Sequence, residues 1–471
     1  MLILSLDQEV LTLEQEASHR RWQIPVFCFA AAVLAGAYLL SLFQTDHVTV
    51  AGAVVGAAGM ALFLTIIWKH TQSWLNCFGK GTASLEVRQT ISREEWKRVL
   101  LLIVASLLIH LVFSMLIRMM LDKDINPIHA LRIYPITDSI HYAEIAQYGY
   151  SAGNQGYDVL AQGDRALDLV FFPAYPALIR FLMILIPNVM ICSYLATWIP
   201  WVGAGCMLYK LFRLDLEQSR AIQVLLIFCM LPGAIFYSVP MSESLFLLLT
   251  VSGIYFARVQ KWHLAGMCGM LSAAARSAGV LVIVPLVAEL AMQFDWSGFR
   301  PFRDPKERKR LAISALWLLL VPLGILYYLL LNLMLTGSMF TFMEYQKYYW
   351  GQGMTWFFSG LADQLNQLLH DPEGMAVRQG WNLIVGFTSL ALMAFSAKKM
   401  RASYTLWFIL YFAFSYGASR LLSGPRYMTV FFPLAIAIDQ LSEGKKEIVF
   451  AALLLGAMVC TGCFAAQSGI C

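Results

Sequence analysis

A polar stretch in the middle of an otherwise apolar chain carries side chains that can do acid–base chemistry. Residues 137–180 include the carboxylate of Asp138, the imidazole of His141 and a segment, 171–176, that is interrupted by prolines. An ionised carboxylate can accept a proton from an attacking hydroxyl group, which is the task of a general base. The spacing after Asp138 also fits a short helix, so Asp138 could instead be its N-cap. His141 considered alone is more often structural.

Other ionisable side chains fall at the margins of apolar segments, where charge is costly and tends to have a purpose. They are Glu144, Glu243, Arg276, Arg420 and Arg426. Arginine presents a fork of N–H donors that suits the oxygens of a phosphate, and aromatic rings can cover sugar faces or isoprene units. Simpler interpretations are that Glu243 merely begins a helix and that Arg420 and Arg426 extend to the membrane surface. Arg276 lies between two apolar helices, which favours a functional partner.

The composition indicates which elements must position these residues. Of 471 residues, 59% are hydrophobic and 13% are charged, which is far from a soluble globular composition. Apolar runs of about twenty residues recur along the chain, and each is long enough to cross a bilayer core. The net charge of +5 lies largely in short loops and so reports topology. Nucleic-acid binding is excluded as a function class because no basic, aromatic-interleaved soluble patch exists.

Hydropathy predicts an all-α polytopic membrane protein with about thirteen transmembrane helices. The predicted spans cover residues 24–43, 49–68, 99–120, 189–209, 221–237, 242–257, 263–275, 279–292, 311–333, 380–396, 403–418, 427–440 and 447–465. With these spans every strongly basic loop falls on one side, which is expected to be cytoplasmic. The loops 121–188 and 334–379 then lie on the other side. We expect 171–186 to be an interfacial or re-entrant helix, because a span there would reverse all later loops.

The predicted domain organisation is a two-span extension with a cytoplasmic linker, 1–98, followed by one transmembrane unit, 99–471. Within the linker, Ser92 and Glu95 have the spacing of a capping box and predict a helix start. No internal repeat is evident, which weakens a transporter interpretation, since many transporter folds contain repeated halves. Charges that cluster at one margin of the spans also disfavour a path across the membrane.

Five segments resemble one known family in order along the chain. Residues 138–142 (DSIHY), followed by IA and GY, are similar to WDSxHYxxIAxxGY, although Thr137 replaces the usual Trp. Residues 171–180 look like FFPLYPLLIR, and 242–246 resemble the (Y/S)xESLF motif. Residues 276–279 resemble an RxxG motif and 425–427 match a late PRY. The combination resembles the GPI mannosyltransferase II (PIG-V) family and its prokaryotic relatives, within the GT-C class of membrane glycosyltransferases.

This resemblance implies a GT-C fold and an inverting hexosyl transfer, of mannose above all, from a polyprenyl-phosphate sugar. It implies that Asp138 is the general base and that His141 and Glu243 support it. The implied donor-phosphate ligands are Arg276, Arg426 and Arg420, and the implied substrate- or lipid-lining residues are Tyr142, Phe172, Tyr175 and Tyr427. No cofactor is implied with certainty. No metal site is predicted, although some enzymes of the class use a divalent ion.

The implied partners are the lipid-linked donor, membrane lipid and an acceptor that is a glycolipid, a glycan or a protein, as in cell-envelope glycosylation. The expected location is a prokaryotic cell membrane with the site facing outside. The alternative location is the endoplasmic reticulum membrane with a lumenal site. A polytopic transporter or lipid-linked-sugar flippase remains the alternative function. Movement of lipid without formation of a glycosidic bond would distinguish it from the transferase.

Overall fold

The computed structural model describes residues 23–41, 49–77, 90–131, 138–150, 167–370 and 372–466. Within these ranges the chain is helical, and its one β-type contact is an isolated antiparallel bridge between Met354 and Ala418. This confirms the prediction of an all-α membrane protein. The predictions for residues 1–22, Thr137 and Cys471 lie outside the described residues.

The first third of the chain contains three long apolar helices and two short ones. They are α1 (Gln23–Ser41), α2 (Val50–Cys77), α3 (Arg93–Asp122), α4 (Pro127–Ala130) and α5 (Ser139–Tyr148). Helix α3 begins with the predicted capping box, because Ser92 Oγ accepts from Glu95 N at 3.2 Å and Glu95 Oε2 accepts from Ser92 N at 3.3 Å. The remaining oxygen of Glu95 accepts from Arg213 Nε at 3.0 Å. One residue therefore begins the helix and ties it to the next span.

The middle of the chain is a series of shorter helices. They are α6 (Ala174–Met183), α7 (Val189–Phe212), α8 (Gln218–Cys229), α9 (Glu243–Arg258), α10 (Trp262–Ala275), α11 (Ile283–Met292) and α12 (Arg300–Arg303). The predicted span 221–237 is α8 followed by the 3-10 helix Pro232–Tyr237, and 279–292 begins with the 3-10 helix Ser277–Val282. Prolines explain both breaks in part, since Pro232 and Pro285 donate no backbone hydrogen bond.

The last third of the chain supplies the remaining helices. It contains α13 (Pro305–Leu318), α14 (Leu320–Thr336), α15 (Thr341–Trp350), α16 (Phe357–His370), α17 (Pro372–Ser396), α18 (Ala402–Tyr416), α19 (Gly424–Tyr427), α20 (Phe432–Leu441) and α21 (Lys446–Ala465). Helices α13 and α14 together correspond to the single predicted span 311–333.

Seven helices in the described ranges are long and apolar enough to cross a membrane, or eight if the bent pair Ser277–Met292 and Ser297–Arg303 counts as one span. The prediction was about thirteen spans. The difference arises because six predicted spans are helices of 10–16 residues or broken pieces that pack inside the bundle. Helix α6 has ten residues, or about 15 Å, and is too short to span, as predicted.

The charged contacts separate into two ends of the bundle. Loops predicted for one side contact one another through Asp138, Glu243, Arg276 and Arg426. Loops predicted for the other side are joined by separate ion pairs. These pairs are Arg213–Glu95, Arg220–Asp439, Arg258–Asp215 and Arg401–Glu289. The contacts therefore reproduce the predicted grouping of the loops into two sets.

The N-terminal pair α1 and α2 packs against the C-terminal third of the chain. The rings of Phe63 and Phe357 have centroids 4.5 Å apart, and those of Tyr38 and Phe358 are 5.3 Å apart. A Cβ on Gly56 would lie 3.1 Å from the carbonyl oxygen of Phe358, so glycine allows this close approach. The division at residue 98 stays a prediction, but the extension is packed onto the main unit.

Candidate active site

Asp138 stands directly before α5, at the position of an N-cap. Its carboxylate makes no capping hydrogen bond, and its Oδ2 lies 2.5 Å from Arg426 Nη1. Burial acts to raise the pKa of Asp138, but the charge of Arg426 and the hydrogen bond from it outweigh burial, and the pKa lies below its usual value. Of the two interpretations of Asp138, the structure therefore disfavours the simple cap and leaves an ionised, partly exposed carboxylate.

Arg426 joins Asp138 to a second carboxylate. Its Nε donates to Glu243 Oε1, and Arg276 Nη1 donates to the same oxygen and to Ser242 Oγ, the latter at 3.1 Å. Glu243 is 1% exposed and is the first residue of α9, but two arginines bind it, so it does more than begin the helix. We call Asp138, Glu243, Arg276 and Arg426 the carboxylate–arginine cluster. It unites four residues that the sequence analysis selected from four separate segments.

Short motifs around the cluster explain how the arginines are positioned. Ser423 Oγ accepts from Arg426 N at 3.3 Å and begins the short helix α19. A Cβ on Gly279 would lie 2.0 Å from the carbonyl oxygen of Ser272, so only glycine fits three residues after Arg276. The turn that follows α10 can therefore fold back closely and direct Arg276 toward Glu243.

The two arginines retain capacity for an anionic ligand. Their side chains are 20% (Arg276) and 13% (Arg426) exposed. Within the described residues, Arg276 Nη2 and Arg426 Nη2 form no hydrogen bond. Because each arginine already pairs with a carboxylate, the cluster itself is neutral when all four groups are ionised. It is a charge-balanced site, not a free basic patch.

The second motif of the loop, 171–180, holds α5 in place. Arg180 Nε donates to the Ala146 carbonyl at 2.8 Å, and its Nη2 donates to the Gln147 carbonyl at 3.1 Å. These are carbonyls of the last turn of α5, where a cation also opposes the negative end of the helix dipole. At the other end of the motif the Phe171 ring stacks on His141, with centroids 4.6 Å apart. The two loop motifs are therefore one packing unit.

The four predicted lining residues have different surroundings. Tyr175 is 0% exposed, and its hydroxyl hydrogen-bonds Thr197 Oγ1 at 2.7 Å, so it packs beneath the site. Tyr142 is also buried, and its hydroxyl hydrogen-bonds Ser242 Oγ at 3.0 Å. Phe172 stacks on Tyr328, with centroids 3.9 Å apart. In this structure these three residues support the site from within.

Tyr427 directly follows Arg426, and its ring lies 6.1 Å from that of Tyr416. Tyr427 is partly exposed and adjoins a residue of the cluster, in contrast to the three buried residues.

Arg420 lies apart from the carboxylate–arginine cluster. It is exposed, and its Nη1 donates weakly to the Trp350 carbonyl at 3.4 Å, with no ion pair to a described carboxylate. Trp350 ends α15, and its ring contacts those of His141 (6.0 Å) and Phe171 (5.9 Å). Sequence reasoning did not select Trp350, although the abundance of Tyr and Trp in loop 334–379 was a signal. Arg420 therefore touches the edge of the site and not its charged centre.

A second group of ionisable residues, two of them on α5, lies next to the cluster. His141 Nδ1 is 2.8 Å from Asp168 Oδ1, and ligand atoms of His141, Glu144 and Asp168 all lie within 4.8 Å of one another. Burial raises the pKa of Glu144 and the charge of Asp168 raises it further, whereas His141 lowers it. Asp168 was not selected from the sequence, because nothing in its local pattern distinguishes it. These three residues are the group in the described chain that could hold a metal ion.

Comparison with known proteins relates the chain to one described family. A family model described as Mannosyltransferase (PIG-V) matches residues 129–359. The matched range includes Asp138, Asp168, Glu243 and Arg276 and ends before Arg426. No curated protein matches the chain significantly.

Proposed function

Since the chain belongs to the PIG-V-like family of membrane mannosyltransferases, we propose that it transfers mannose from a polyprenyl-phosphate donor to an acceptor hydroxyl with inversion at the sugar carbon. The proposal includes a GT-C type of catalysis in residues 99–471, with residues 1–98 as an accessory extension. It places the reaction on the extracytoplasmic face of a prokaryotic cell membrane. The acceptor belongs to the classes of glycolipid, glycan or protein.

In the proposed reaction Asp138 takes the proton of the acceptor hydroxyl while the oxygen of that hydroxyl bonds to the anomeric carbon of the donor. The bond from that carbon to the phosphate oxygen breaks at the same time, and its electron pair stays on the phosphate. Arg276 and Arg426 stabilise the negative charge that develops there, which is how arginines serve phosphate leaving groups. One base suffices because inversion needs no covalent intermediate.

Arg426 is the shared element of this proposal. It holds Asp138 in the ligand-free protein through the 2.5 Å contact of Nη1 with Oδ2. A donor phosphate that binds the same guanidinium shares the positive charge that pairs with Asp138, and any weakening of the ion pair raises the basicity of Asp138. Donor binding therefore prepares the base. The observation that carries the proposal is this pairing of a non-capping carboxylate with an arginine at an exposed end of the bundle.

The transporter alternative expects charged side chains midway along several spans. In the described chain, the ion-paired carboxylates and arginines of the bundle lie at or near helix ends, as Glu243 and Arg258 do at the two ends of α9. This distribution favours the transferase.

The test measures transfer of labelled mannose from a polyprenyl-phosphate donor by the purified full-length protein. Membranes from source cells lacking this protein supply the acceptor. We expect Asp138→Asn to reduce the rate by about 10²- to 10⁴-fold. Asp124→Asn is the matched control, because Asp124 lies in the same loop and contacts His129 on the surface. Full activity of Asp138→Asn, or a product with retained configuration, would overturn the proposal.

A further inference from the structure

We propose that His141, Glu144 and Asp168 form a binding site for one divalent metal cation beside Asp138. One atom from each side chain lies within 4.8 Å of the others, which brings three potential ligands together at one place. His141 is three residues after Asp138 on the same turn of helix, so the site adjoins the proposed base. The inference deepens the proposed function, because the cation would adjoin the proposed base.

The backbone prearranges the three ligands. His141 and Glu144 are three residues apart on α5 and so share one face of the helix. Asp168 comes from the 3-10 helix Leu167–Val170, whose position is set by the Tyr328 hydroxyl, which donates to the Leu169 carbonyl. Two separate elements, α5 and this 3-10 helix, therefore present their ligands to one point.

The hydrogen bonds of Glu144 and Asp168 within the described chain do not satisfy both carboxylates. Asp168 is 2% exposed, and within the described chain the sole hydrogen bond of its carboxylate is to His141. Glu144 Oε2 is inaccessible to solvent and has no hydrogen-bond partner among the described residues. A buried carboxylate oxygen without a partner costs free energy, and two neighbouring carboxylates repel each other. A bound cation satisfies both groups at once.

The charge of the whole site leads to the same conclusion. The carboxylate–arginine cluster is balanced internally, so Glu144 and Asp168 add negative charge that no arginine of the cluster offsets. A phosphate-linked donor would add more. A divalent cation compensates for the excess and makes the site compatible with an anionic substrate.

The donor set indicates the class of metal. Two carboxylates and one imidazole, without sulfur, suit Mn²⁺ or Zn²⁺ better than Ca²⁺, which prefers oxygen ligands alone. Ligands at right angles around an ion at about 2.1 Å are about 3 Å apart, close to the 2.8 Å between His141 Nδ1 and Asp168 Oδ1. Three protein ligands also leave coordination positions for water or for a substrate oxygen.

The test titrates Mn²⁺ into the EDTA-treated, full-length protein in detergent and measures binding by electron paramagnetic resonance. We expect one saturable site in the wild-type protein and at least about a tenfold weaker affinity in Glu144→Gln and Asp168→Asn. Loss of a residue that only hydrogen-bonds a metal ligand already costs about 10- to 100-fold, and loss of a ligand should cost no less. Asp124→Asn is the matched control, because it removes the carboxylate of a His–Asp pair that has no third candidate ligand among the described residues. Competition by Zn²⁺ and Mg²⁺ identifies the preferred metal.

Two results would overturn the inference. One is a wild-type protein with no saturable site for Mn²⁺ or Zn²⁺, in which case His141 and Asp168 form an ion pair only. The other is Glu144→Gln binding metal as tightly as the wild type. Glu144 is half-buried, so this variant remains informative if Asp168→Asn fails to fold. Asp138→Asn should bind Mn²⁺ normally, which separates failure of the metal site from failure of the proposed base.

Discussion

Arg426 contacts Asp138 across 288 residues of sequence, with 2.5 Å between Nη1 and Oδ2. The same guanidinium donates to Glu243 through Nε. One side chain near the end of the chain therefore fixes the candidate base in the first large loop and the acidic residue at the start of α9. Two different nitrogens of the Arg426 guanidinium bind the two carboxylates. A lysine could not reproduce this arrangement, because an ammonium group is a single point charge.

Removal of Arg426 should destabilise the protein through Glu243. Arg426→Ala leaves Glu243, which is almost fully buried, with Arg276 as its remaining arginine partner, so the cost should stay below the roughly 3–5 kcal/mol of a buried charge that loses every partner. We expect a lower unfolding temperature in detergent and partial recovery in the double variant Arg426→Ala/Glu243→Gln, since that carboxylate no longer needs two cations. Arg420→Ala is the control and should leave the unfolding temperature nearly unchanged. Equal destabilisation by both single variants would contradict this view of Arg426.

Arg276 and Arg420 should differ in their effect on the donor. Arg276 belongs to the carboxylate–arginine cluster and keeps an unbonded Nη2, whereas Arg420 is exposed and contacts a carbonyl. Loss of a charge-assisted hydrogen bond costs about 1.5–3 kcal/mol, so Arg276→Ala should raise the donor Michaelis constant by at least about tenfold. Arg420→Ala should change it by less than about twofold. Steady-state kinetics with varied donor concentration measure both values, and the reverse order would exclude the phosphate role of Arg276.

The pH profile should report the state of Asp138. Its pKa lies below the usual value, so the carboxylate is ionised throughout the neutral range, and activity should fall only below about pH 4. The ion pair likewise contributes stability that is present above the pKa of the unfolded chain and is lost as the pH falls through the lower, folded pKa. In Arg426→Gln the lowering charge is gone, so the acidic limb of kcat/KM should move to higher pH. An unmoved limb would show that another group controls it.

The packing of the N-terminal pair should be sensitive to side-chain size at one glycine. Gly56→Val would place a branched side chain where even a Cβ lies 3.1 Å from the Phe358 carbonyl oxygen. We expect a lower unfolding temperature with a transfer rate at low temperature within about twofold of the wild type, because Gly56 is remote in contacts from the cluster. Gly36→Val in α1 is the control, since a Cβ there meets nothing within 4 Å. A large loss of activity at unchanged stability would assign the extension a direct part in the reaction.

The sequence predicted the charged centre of the site better than the shape of the bundle. Asp138 was selected as a carboxylate of the polar stretch, and Glu243, Arg276 and Arg426 because charge at the margin of a span is costly. Three ion pairs join all four in a single cluster. The helix after Asp138 was predicted too. Arg420 satisfied the same criterion and lies outside the cluster, because position at a margin does not determine which way a side chain is directed.

The remaining features depend on tertiary structure. Hydropathy measures composition, and it could not show that α10 would have only fourteen residues, seven of them buried against other helices. Asp168 lies in a 3-10 turn without periodic pattern, and its relation to Glu144 exists only after the loop folds. Trp350 likewise approaches His141 only through the packing of α15. Pairs of distant residues of this kind leave no signal in a single sequence.

The distance in sequence between Asp138 and Arg426 has a consequence for biosynthesis. The ribosome makes the chain from its N-terminus, so Asp138 is synthesised 288 residues before the arginine that neutralises it. Glu243 and Arg276 also precede that arginine. Of the two acids, Glu243 can already pair with Arg276, whereas Asp138 stays without its arginine until α19 is made. A chain that stops before this helix therefore has every upstream motif but carries one uncompensated carboxylate at its centre.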